Sequence, residues 1–166
     1  MNYYWVVENK FLAGEYPRDI DEETSQTKID ALIGLGARAF IDLTHEADRM
    51  KPYTHFLDTH PSRGISYQRF PIRDLSVPES EIATKEILDT IDQHITNGRI
   101  VYVHCWGGVG RTGVIVGCWL ARNGFPREAA LSRLHEVWRQ NPKSAYRRSP
   151  ETPSQERYIV EWKEPL

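Results

Sequence analysis

The sequence predicts an α/β fold: a single domain in which helices flank both faces of a central, mostly parallel, twisted sheet. Short apolar segments with β patterns alternate along the chain with longer amphipathic segments, and this alternation is typical of βαβ units. Residues 100–103 form an uninterrupted apolar run, as expected for a strand buried on both faces. The 166 residues suffice for one sizeable core and are few for two, so we expect one domain over 1–166.

Periodicity and turn residues locate the elements of the first part of the chain. The strand patterns are short, rich in apolar residues and bounded by polar or glycine positions, and they cover 5–7, 11–13, 38–43 and 65–70. A helix at 21–35 places Ile29, Leu32 and Ile33 on one face. The polar stretch 51–60 predicts no more than a short helix.

The second part of the chain predicts four helices around one buried strand. The strand covers 100–103, and the helices cover 79–97, 113–121, 126–140 and a last segment that opens at Thr152. Asn123 and Gly124 end the second of these helices, because glycine just past a helix is a common C-terminal signal. The order strand, tight loop, helix therefore surrounds residues 104–113.

This loop runs from His104 and Cys105 through a glycine-rich stretch to Arg111, Thr112 and Gly113. Backbone N–H groups at a helix N-terminus and the helix dipole both favour an anion there. The glycines let several N–H groups converge and leave room for a dianion. The same field favours the thiolate form of Cys105, which is the reactive nucleophile. We therefore predict a phosphate-binding loop formed by Trp106, Gly107, Gly108, Val109, Gly110 and Arg111.

The remaining polar side chains of the loop suit covalent attack on phosphorus. Arg111 can hold two phosphoryl oxygens in a bidentate fork, and its grip tightens as charge spreads in the transition state. Thr112 can donate its hydroxyl to the sulfur and help the thiolate leave in the second step. His104 can orient the loop through its ring nitrogens.

The segment resembles the signature loop of the protein tyrosine phosphatase superfamily, in which His-Cys is followed by five residues and then by Arg-Thr/Ser-Gly. The chain matches every one of these positions from His104 to Gly113. It looks like the compact bacterial dual-specificity members. The resemblance implies a phosphoric monoester hydrolase that forms a cysteinyl phosphate on Cys105 and needs neither a metal nor another cofactor.

A second feature is the loop that carries Asp74, between the strand at 65–70 and the helix at 79–97. Loops after parallel strands emerge at one edge of the sheet, so Asp74 and Cys105 can face each other. Cleavage of a phosphate ester needs a proton for the departing oxygen, which a carboxylic acid can supply. The loop is similar to the general-acid loop of the superfamily, although it lacks the Trp-Pro that precedes the aspartate there.

Asp42 is the rival candidate for the general acid, because it lies near the end of the strand at 38–43 and at the same sheet edge. Glu79 fits less well, since it directly follows Pro78 and is placed to begin a helix. We favour Asp74, because a carboxylate facing a recognised site is a better candidate than one chosen by polarity alone.

Gln155 opens the last helix, and two interpretations of it stay open. In tyrosine phosphatases a C-terminal glutamine positions the water that hydrolyses the cysteinyl phosphate, and this segment looks like its counterpart. Thr152 and Gln155 also form a capping-box pattern, with Pro153 at the first helical position.

The substrate class follows from the loop and the resemblance. The residues between Cys105 and Arg111 are uncharged, whereas superfamily members that act on phosphoinositides or inositol polyphosphates often have lysines there. We therefore expect a phosphoprotein or a small phosphomonoester with one phosphoryl group: phosphotyrosine, and with it phosphoserine or phosphothreonine. Two alternatives stay open: a phosphatase of an inositol phosphate or nucleotide, and a module that binds phosphoproteins without turnover. The candidates for the rim of the site are Trp106, Arg73, Arg147 and Arg148.

Composition restricts the partners and the location. The formal net charge is −2 and the pI about 6.3, so we expect no nucleic-acid partner and no membrane surface. No apolar run approaches the ~20 residues of a membrane span, and no signal peptide is recognisable. The two cysteines fit a reducing cytoplasm, where we expect a monomer with Cys118 as a buried core residue. The histidines lack the spacing of a metal site.

Overall fold

The computed structural model describes all 166 residues. The strands are β1 (Tyr3–Val7), β2 (Phe11–Gly14), β3 (Ala37–Asp42), β4 (Ser66–Arg69) and β5 (Ile100–His104). The helices are α1 (Glu22–Gly34), α2 (Thr54–Leu57), α3 (Glu81–Thr96), α4 (Gly110–Arg122), α5 (Glu128–Trp138) and α6 (Pro153–Glu161). Short 3₁₀ turns lie at Glu46–Asp48, Pro61–Arg63 and Pro142–Ala145.

The five strands form one sheet in the order β1-β2-β5-β3-β4. β1 and β2 are antiparallel, and the pairs β2·β5, β5·β3 and β3·β4 are parallel, which confirms the mostly parallel sheet. In this register His104 is paired with Gly14 on one side and with Asp42 on the other. The carboxyl ends of the central strands therefore meet at one edge, and the loops that follow them share that edge.

Helices cover both faces of the sheet, as the sequence predicts. Successive residues of the central strands alternate between two hydrophobic clusters, so that Phe40 and Tyr102 face one side while Ile41 and Val103 face the other. α1 and α2 pack on the first side. The other four helices pack on the second side, around a cluster of 27 buried residues that includes Cys118.

The stretch 51–60 contributes more to the core than its composition indicates. Tyr53, Phe56 and Leu57 are all buried beside α1, and α2 itself is only four residues long. One turn is too short to produce a periodic apolar pattern, so the sequence shows no signal for this packing.

The helix after the phosphate-binding loop begins earlier than predicted, at Gly110 rather than Gly113. Arg111 and Thr112 consequently lie in its first turn, where their backbone N–H groups have no partner within the helix. Gly113 allows close packing at this point, because a Cβ there would lie 2.3 Å from the Ser149 hydroxyl oxygen. α3 begins at Glu81 with Ser80 as its N-cap, so Glu79 lies outside the helix.

None of the helices combines the length and the apolar character needed to span a bilayer.

Candidate active site

The loop between β5 and α4 is bent tightly against the end of β2. Gly108 has a φ of +73°, and a Cβ there would lie 2.4 Å from the backbone carbon of Gly14. Only glycine tolerates both the left-handed conformation and this approach. The amide of Tyr16 donates a 2.9 Å hydrogen bond to the carbonyl of Trp106, so the loop is also tied to the chain beyond β2.

Cys105 lies at the bottom of the loop and is 3% exposed. The hydroxyl of Thr112 donates a hydrogen bond to its sulfur over 3.1 Å. A hydroxyl donor stabilises negative charge on the sulfur, both before attack and when the sulfur is the leaving group. The pair is brought together by the first turn of α4, which carries Thr112 back over the loop.

Arg111 is almost completely buried, and three groups fix its guanidinium. One terminal nitrogen donates to the carboxylate of Asp48 over 2.6 Å and to the carbonyl of Ile72 over 2.9 Å. The other terminal nitrogen lies 3.3 Å from a carboxylate oxygen of Asp74. The planar fork is therefore held in one orientation at the wall of the site.

Asp48 is a site residue that the sequence analysis missed. Its side chain is 6% exposed, and its carboxylate also accepts a hydrogen bond from the amide of His45. It lies in the 3₁₀ turn after β3, and its only sequence signal is that this turn follows a strand whose end meets that of β5.

The three carboxylates considered as general acid lie in different surroundings. The side chain of Asp74 is 54% exposed and lines the cavity above Cys105. Asp42 is buried, and its carboxylate accepts hydrogen bonds from the amide and hydroxyl of Thr44 and from the hydroxyl of Tyr67. Glu79 is exposed and does not line the cavity. The geometry thus brings Asp74 to the site and leaves Asp42 within the structure beneath it.

His104 is fully buried behind the nucleophile. Its Nδ1 lies 3.1 Å from the carbonyl of Cys105, and its Nε2 lies 2.6 Å from the hydroxyl of Tyr53. A carbonyl can only accept, so Nδ1 carries the proton and Nε2 accepts from Tyr53. Burial lowers the pKa of His104 below its ordinary value, although the nearby Asp42 carboxylate partly opposes this shift. The ring is therefore a neutral link between α2 and the loop, and Tyr53 is a second residue without a sequence signal.

Gln155 is fully buried at the start of α6, and both the oxygen and the nitrogen of its side-chain amide make hydrogen bonds. The side-chain oxygen accepts from the amides of Glu151 and Thr152, while the hydroxyl of Thr152 accepts from the amide of Gln155. The predicted capping box is therefore present. The side-chain nitrogen donates over 2.9 Å to the carbonyl of Ser76, which belongs to the Asp74 loop.

The C-terminal part of the chain also supports the phosphate-binding loop from outside. The hydroxyl of Ser149 donates over 2.6 Å to the carbonyl of Val109, and the ammonium of Lys143 donates over 2.7 Å to the carbonyl of Gly107. Carbonyls that point away from the centre of the loop are satisfied in this way, which leaves its N–H groups free to face an anion.

A cavity of about 430 Å³ opens above Cys105 and Arg111. Trp106 stands exposed in its wall, and cations from other parts of the chain complete it, namely Arg18, Lys28, Lys143 and Arg147. Of the predicted rim residues, Arg73 lines a neighbouring cleft with Trp106, whereas Arg148 points to solvent beside Glu156 and does not line the cavity. No group of three or more His, Cys, Asp or Glu side chains is arranged to hold a metal ion.

Several known proteins are similar to this chain. The 067L protein of Invertebrate iridescent virus 3, whose name places it provisionally among tyrosine phosphatases, is 27% identical over 167 residues that cover 93% of this chain and 62% of that protein. Tk-PTP, solved in its active form, has a TM-score of 0.69 at 23% identity, covering 95% of this chain and 92% of that chain. PTPMT1 has a TM-score of 0.70 at 17% identity, with coverage of 96% and 92%. The two structures establish the shared fold.

The chain spans between 52% and 62% of the length of three curated relatives that it matches. A family model described as a polymorphic toxin system DSP-PTPase phosphatase, Tc-R-P, matches residues 17–125. The matched range includes Asp48, Asp74, Cys105, Arg111 and Thr112 and ends before α5. On this match the chain belongs to the Tc-R-P family of DSP-PTPase phosphatases of polymorphic toxin systems.

Proposed function

We propose that the protein hydrolyses phosphomonoesters through a cysteinyl-phosphate intermediate on Cys105. The observation that carries this proposal is the juxtaposition of a buried thiol, a hydroxyl donor 3.1 Å from its sulfur and a fixed guanidinium at one cavity. A module that only binds phosphoproteins has no need for Thr112 to stabilise charge on the sulfur. The arrangement therefore favours turnover over capture.

The reaction has two steps. In the first, the thiolate of Cys105 attacks phosphorus, an S–P bond forms, the bond to the ester oxygen breaks, and Asp74 gives that oxygen its proton. In the second, water attacks phosphorus and gives a proton to Asp74, while the S–P bond breaks and restores the thiolate. Arg111 and the loop N–H groups hold the phosphoryl oxygens in both steps. Thr112 stabilises the sulfur as it leaves.

We assign Asp74 rather than Asp42 as the general acid. Asp74 is exposed to the cavity and can reach a leaving oxygen there. The carboxylate of Asp42 accepts three hydrogen bonds and the residue is 2% exposed, so this carboxylate is held within the structure and away from substrate. The contact between Asp74 and Arg111 gives way when a phosphoryl group takes up the guanidinium.

We assign Gln155 the role of positioning the loop that carries Asp74, called the acid loop from here on. Its side-chain amide joins the start of α6 to the carbonyl of Ser76 in that loop. This bond fixes the segment two residues after Asp74. The side-chain oxygen accepts from two backbone amides and the nitrogen uses one of its two N–H groups on Ser76, so a single N–H group is left for the water-positioning role that the family resemblance implies.

The substrate class we propose is phosphotyrosine in proteins, with phosphoserine and phosphothreonine as further substrates. A second candidate is a small phosphorylated molecule, since PTPMT1, which shares the fold, has been solved in complex with PI(5)P. The specific observation that favours this candidate is the set of cations around the cavity.

Leaving-group dependence tests the assignment of the acid. A phenyl or alkyl oxygen needs a proton to depart, whereas a fluorinated aryl oxygen of low pKa departs almost unaided. We expect Asp74→Asn to lower kcat/KM on phosphotyrosine, which reports the first step alone, by about a hundredfold or more and to leave kcat/KM on the fluorinated aryl phosphate within about threefold.

Asp42→Asn is the matched comparison, because it removes one negative charge from the rival carboxylate. It should lower both rates to a similar extent. If the two variants exchange these behaviours, Asp42 is the acid. Loss of turnover in Cys105→Ser, with phosphate still bound, completes the test of the proposed function.

A further inference from the structure

The wall of the cavity holds more positive charge than one phosphoryl group requires. Apart from Arg111, it includes the cations Arg18, Lys28, Lys143 and Arg147, but only two carboxylates besides Asp74, which are Glu15 and Glu151. Among the residues that line the cavity, cations thus outnumber carboxylates by two, while Arg18 and Lys28 also pair with Glu22 and Asp19, which lie outside it. The cations come from α1, from the segment after β2 and from the segment around the last 3₁₀ turn, so no single stretch of sequence reveals them.

Two of these cations are lysines whose side chains have little exposure to solvent. The side chains of Lys28 and Lys143 are 19% and 14% exposed, and they share the carboxylate of Glu15 at 3.8 and 3.2 Å. Burial raises the pKa of Glu15, but hydrogen bonds from Asn2 and the charge on Lys143 outweigh it and leave the pKa below its ordinary value. Glu15 is thus the one carboxylate inside the cavity that both ammonium groups share, and both have lost most of their water. Lys28 also reaches Asp19, whose carboxylate lies outside the cavity.

The position of Lys143 links this charge to the reaction. Its ammonium donates to the carbonyl of Gly107 in the phosphate-binding loop, next to Trp106. Arg147 lies on the same side of the loop, in a pair with Glu151. An anion bound by Lys143 and Arg147 would therefore lie beside the phosphoryl group that Cys105 attacks, and on the same substrate molecule.

We propose that Lys28, Lys143 and Arg147 form a subsite for a second phosphoryl group, so that the preferred substrate carries two phosphoryl groups close together. This rests on the proposed function, since Cys105 and Arg111 act on the first of them. The Glu15 and Glu151 carboxylates hold the cations in place before substrate binds. Two sources carry such a pair of groups: a polyol bisphosphate and a doubly phosphorylated peptide.

The experiment measures kcat/KM on two matched pairs of substrates. One pair is an inositol monophosphate and a vicinal inositol bisphosphate, and the other is a phosphotyrosine peptide with or without a nearby phosphothreonine. The ratio of the doubly to the singly phosphorylated substrate is the readout in each pair. We expect a ratio of about ten or more in the pair that corresponds to the natural source. The pair that shows it identifies that source.

Charge removal at the subsite should collapse this ratio. Lys143→Gln keeps a donor for the Gly107 carbonyl but removes the positive charge, and we expect it to lower the ratio about tenfold. Arg147→Met should act in the same direction. Arg148→Met is the control, because Arg148 is exposed, pairs with Glu156 and lies outside the cavity. It should leave the ratio at the wild-type value.

Turnover of p-nitrophenyl phosphate by the wild-type protein distinguishes failure of the proposed function from failure of the subsite alone. If this substrate is not hydrolysed, the proposed function fails. If it is hydrolysed but both ratios are near one, or Lys143→Gln leaves a high ratio unchanged, the subsite is refuted and the proposed function stands.

Discussion

Arg111 shows how single residues set the geometry of the site. Its fork is shared between Asp48, which is almost buried, and Asp74, which is half exposed. The buried contact is the short one, at 2.6 Å, and it leaves the rest of the guanidinium directed at the cavity. A charged donor fixed before substrate binds loses little conformational entropy on binding, which is the benefit of preorganisation. Asp48 is therefore a positioning residue.

Asp48→Asn tests this role. The amide cannot supply the charge that orients Arg111, so we expect kcat/KM to fall by about tenfold to a hundredfold on every substrate, whatever its leaving group. This uniform loss differs from the leaving-group dependence expected for Asp74→Asn. Asp58→Asn is a suitable control, because Asp58 is exposed on the short segment after α2. An Asp48→Asn enzyme with wild-type kinetics would contradict the role.

His104 makes the stability of the fold depend on pH. Its pKa is lowered by burial, so the folded protein keeps it neutral, while the unfolded chain takes up a proton below its ordinary pKa of 6.5. The contribution to stability is therefore complete above that value and is lost as pH falls through the window below it. We expect the free energy of unfolding to fall between pH 7 and 5.

Denaturant titrations of His104→Gln isolate this contribution. His94 and His135, whose pKa values burial also lowers, are unchanged in the variant and cancel in the comparison. The wild-type slope should exceed that of the variant, by no more than about 1.4 kcal/mol per pH unit. Equal slopes would show that folding does not shift the pKa of His104.

At the scale of elements, α6 connects the two loops that perform the chemistry. Gly110 begins α4 so close to Gln155 that a Cβ there would lie 3.1 Å from its amide atoms, and the same amide bonds Ser76 in the acid loop. The start of α6 is therefore wedged between the phosphate-binding loop and the acid loop. Movement of either loop is resisted by the other through one buried side chain.

Gln155→Ala and Thr152→Ala separate positioning from capping. Each removes one half of the capping box and should cost about 1 kcal/mol of stability. Only Gln155→Ala releases Ser76, so only this variant should lower kcat/KM on phosphotyrosine more than on a low-pKa aryl phosphate, by about tenfold. Rapid-quench kinetics measure how much phosphocysteine accumulates and so detect the contrary result. If Gln155→Ala accumulates phosphocysteine with no change in leaving-group dependence, Gln155 positions water instead.

The sequence predicts those parts of the site that are formed by consecutive elements of the chain. Cys105 and Thr112 meet because one strand, one loop and one helix turn follow each other, and each has its own signal. Asp74 could be placed because parallel strands end at one sheet edge. Asp48, Tyr53 and Lys143 reach the site through tertiary packing of short turns, and short turns have no periodicity to read. The start of α4 was also misplaced, because a glycine-rich segment has a weak helix signal.

At the scale of the molecule, the fold gathers the positive charge of four cationic side chains at one edge of a slightly acidic protein, each of them paired with a carboxylate. This charge surrounds a loop whose N–H groups and Arg111 already favour an anion, so an oxyanion should bind the folded state and not the unfolded chain. Orthophosphate at a hundred times its Kd should raise the free energy of unfolding by about 2.7 kcal/mol. Thermal melts at increasing phosphate concentration measure the effect.

Two variants show where this stabilisation arises. Cys105→Ser keeps Arg111 and the loop N–H groups, so its melting temperature should still rise with phosphate. Arg111→Lys loses the two-point grip and should show little rise. A rise of the same size in Arg111→Lys would mean that phosphate binds elsewhere on the basic rim.

Detection of the cysteinyl phosphate itself tests the proposed reaction most directly. The enzyme is mixed with excess fluorinated aryl phosphate, whose low-pKa oxygen departs without an acid, quenched in acid within milliseconds and digested, and the peptide that contains Cys105 is examined by mass spectrometry. The proposed reaction predicts one added phosphoryl group on Cys105 in the Asp74→Asn protein, in which loss of the base slows the second step, and none in Cys105→Ser. Rapid turnover with no phosphorylated Cys105 peptide at any quench time, or a phosphoryl group on another residue, would contradict it.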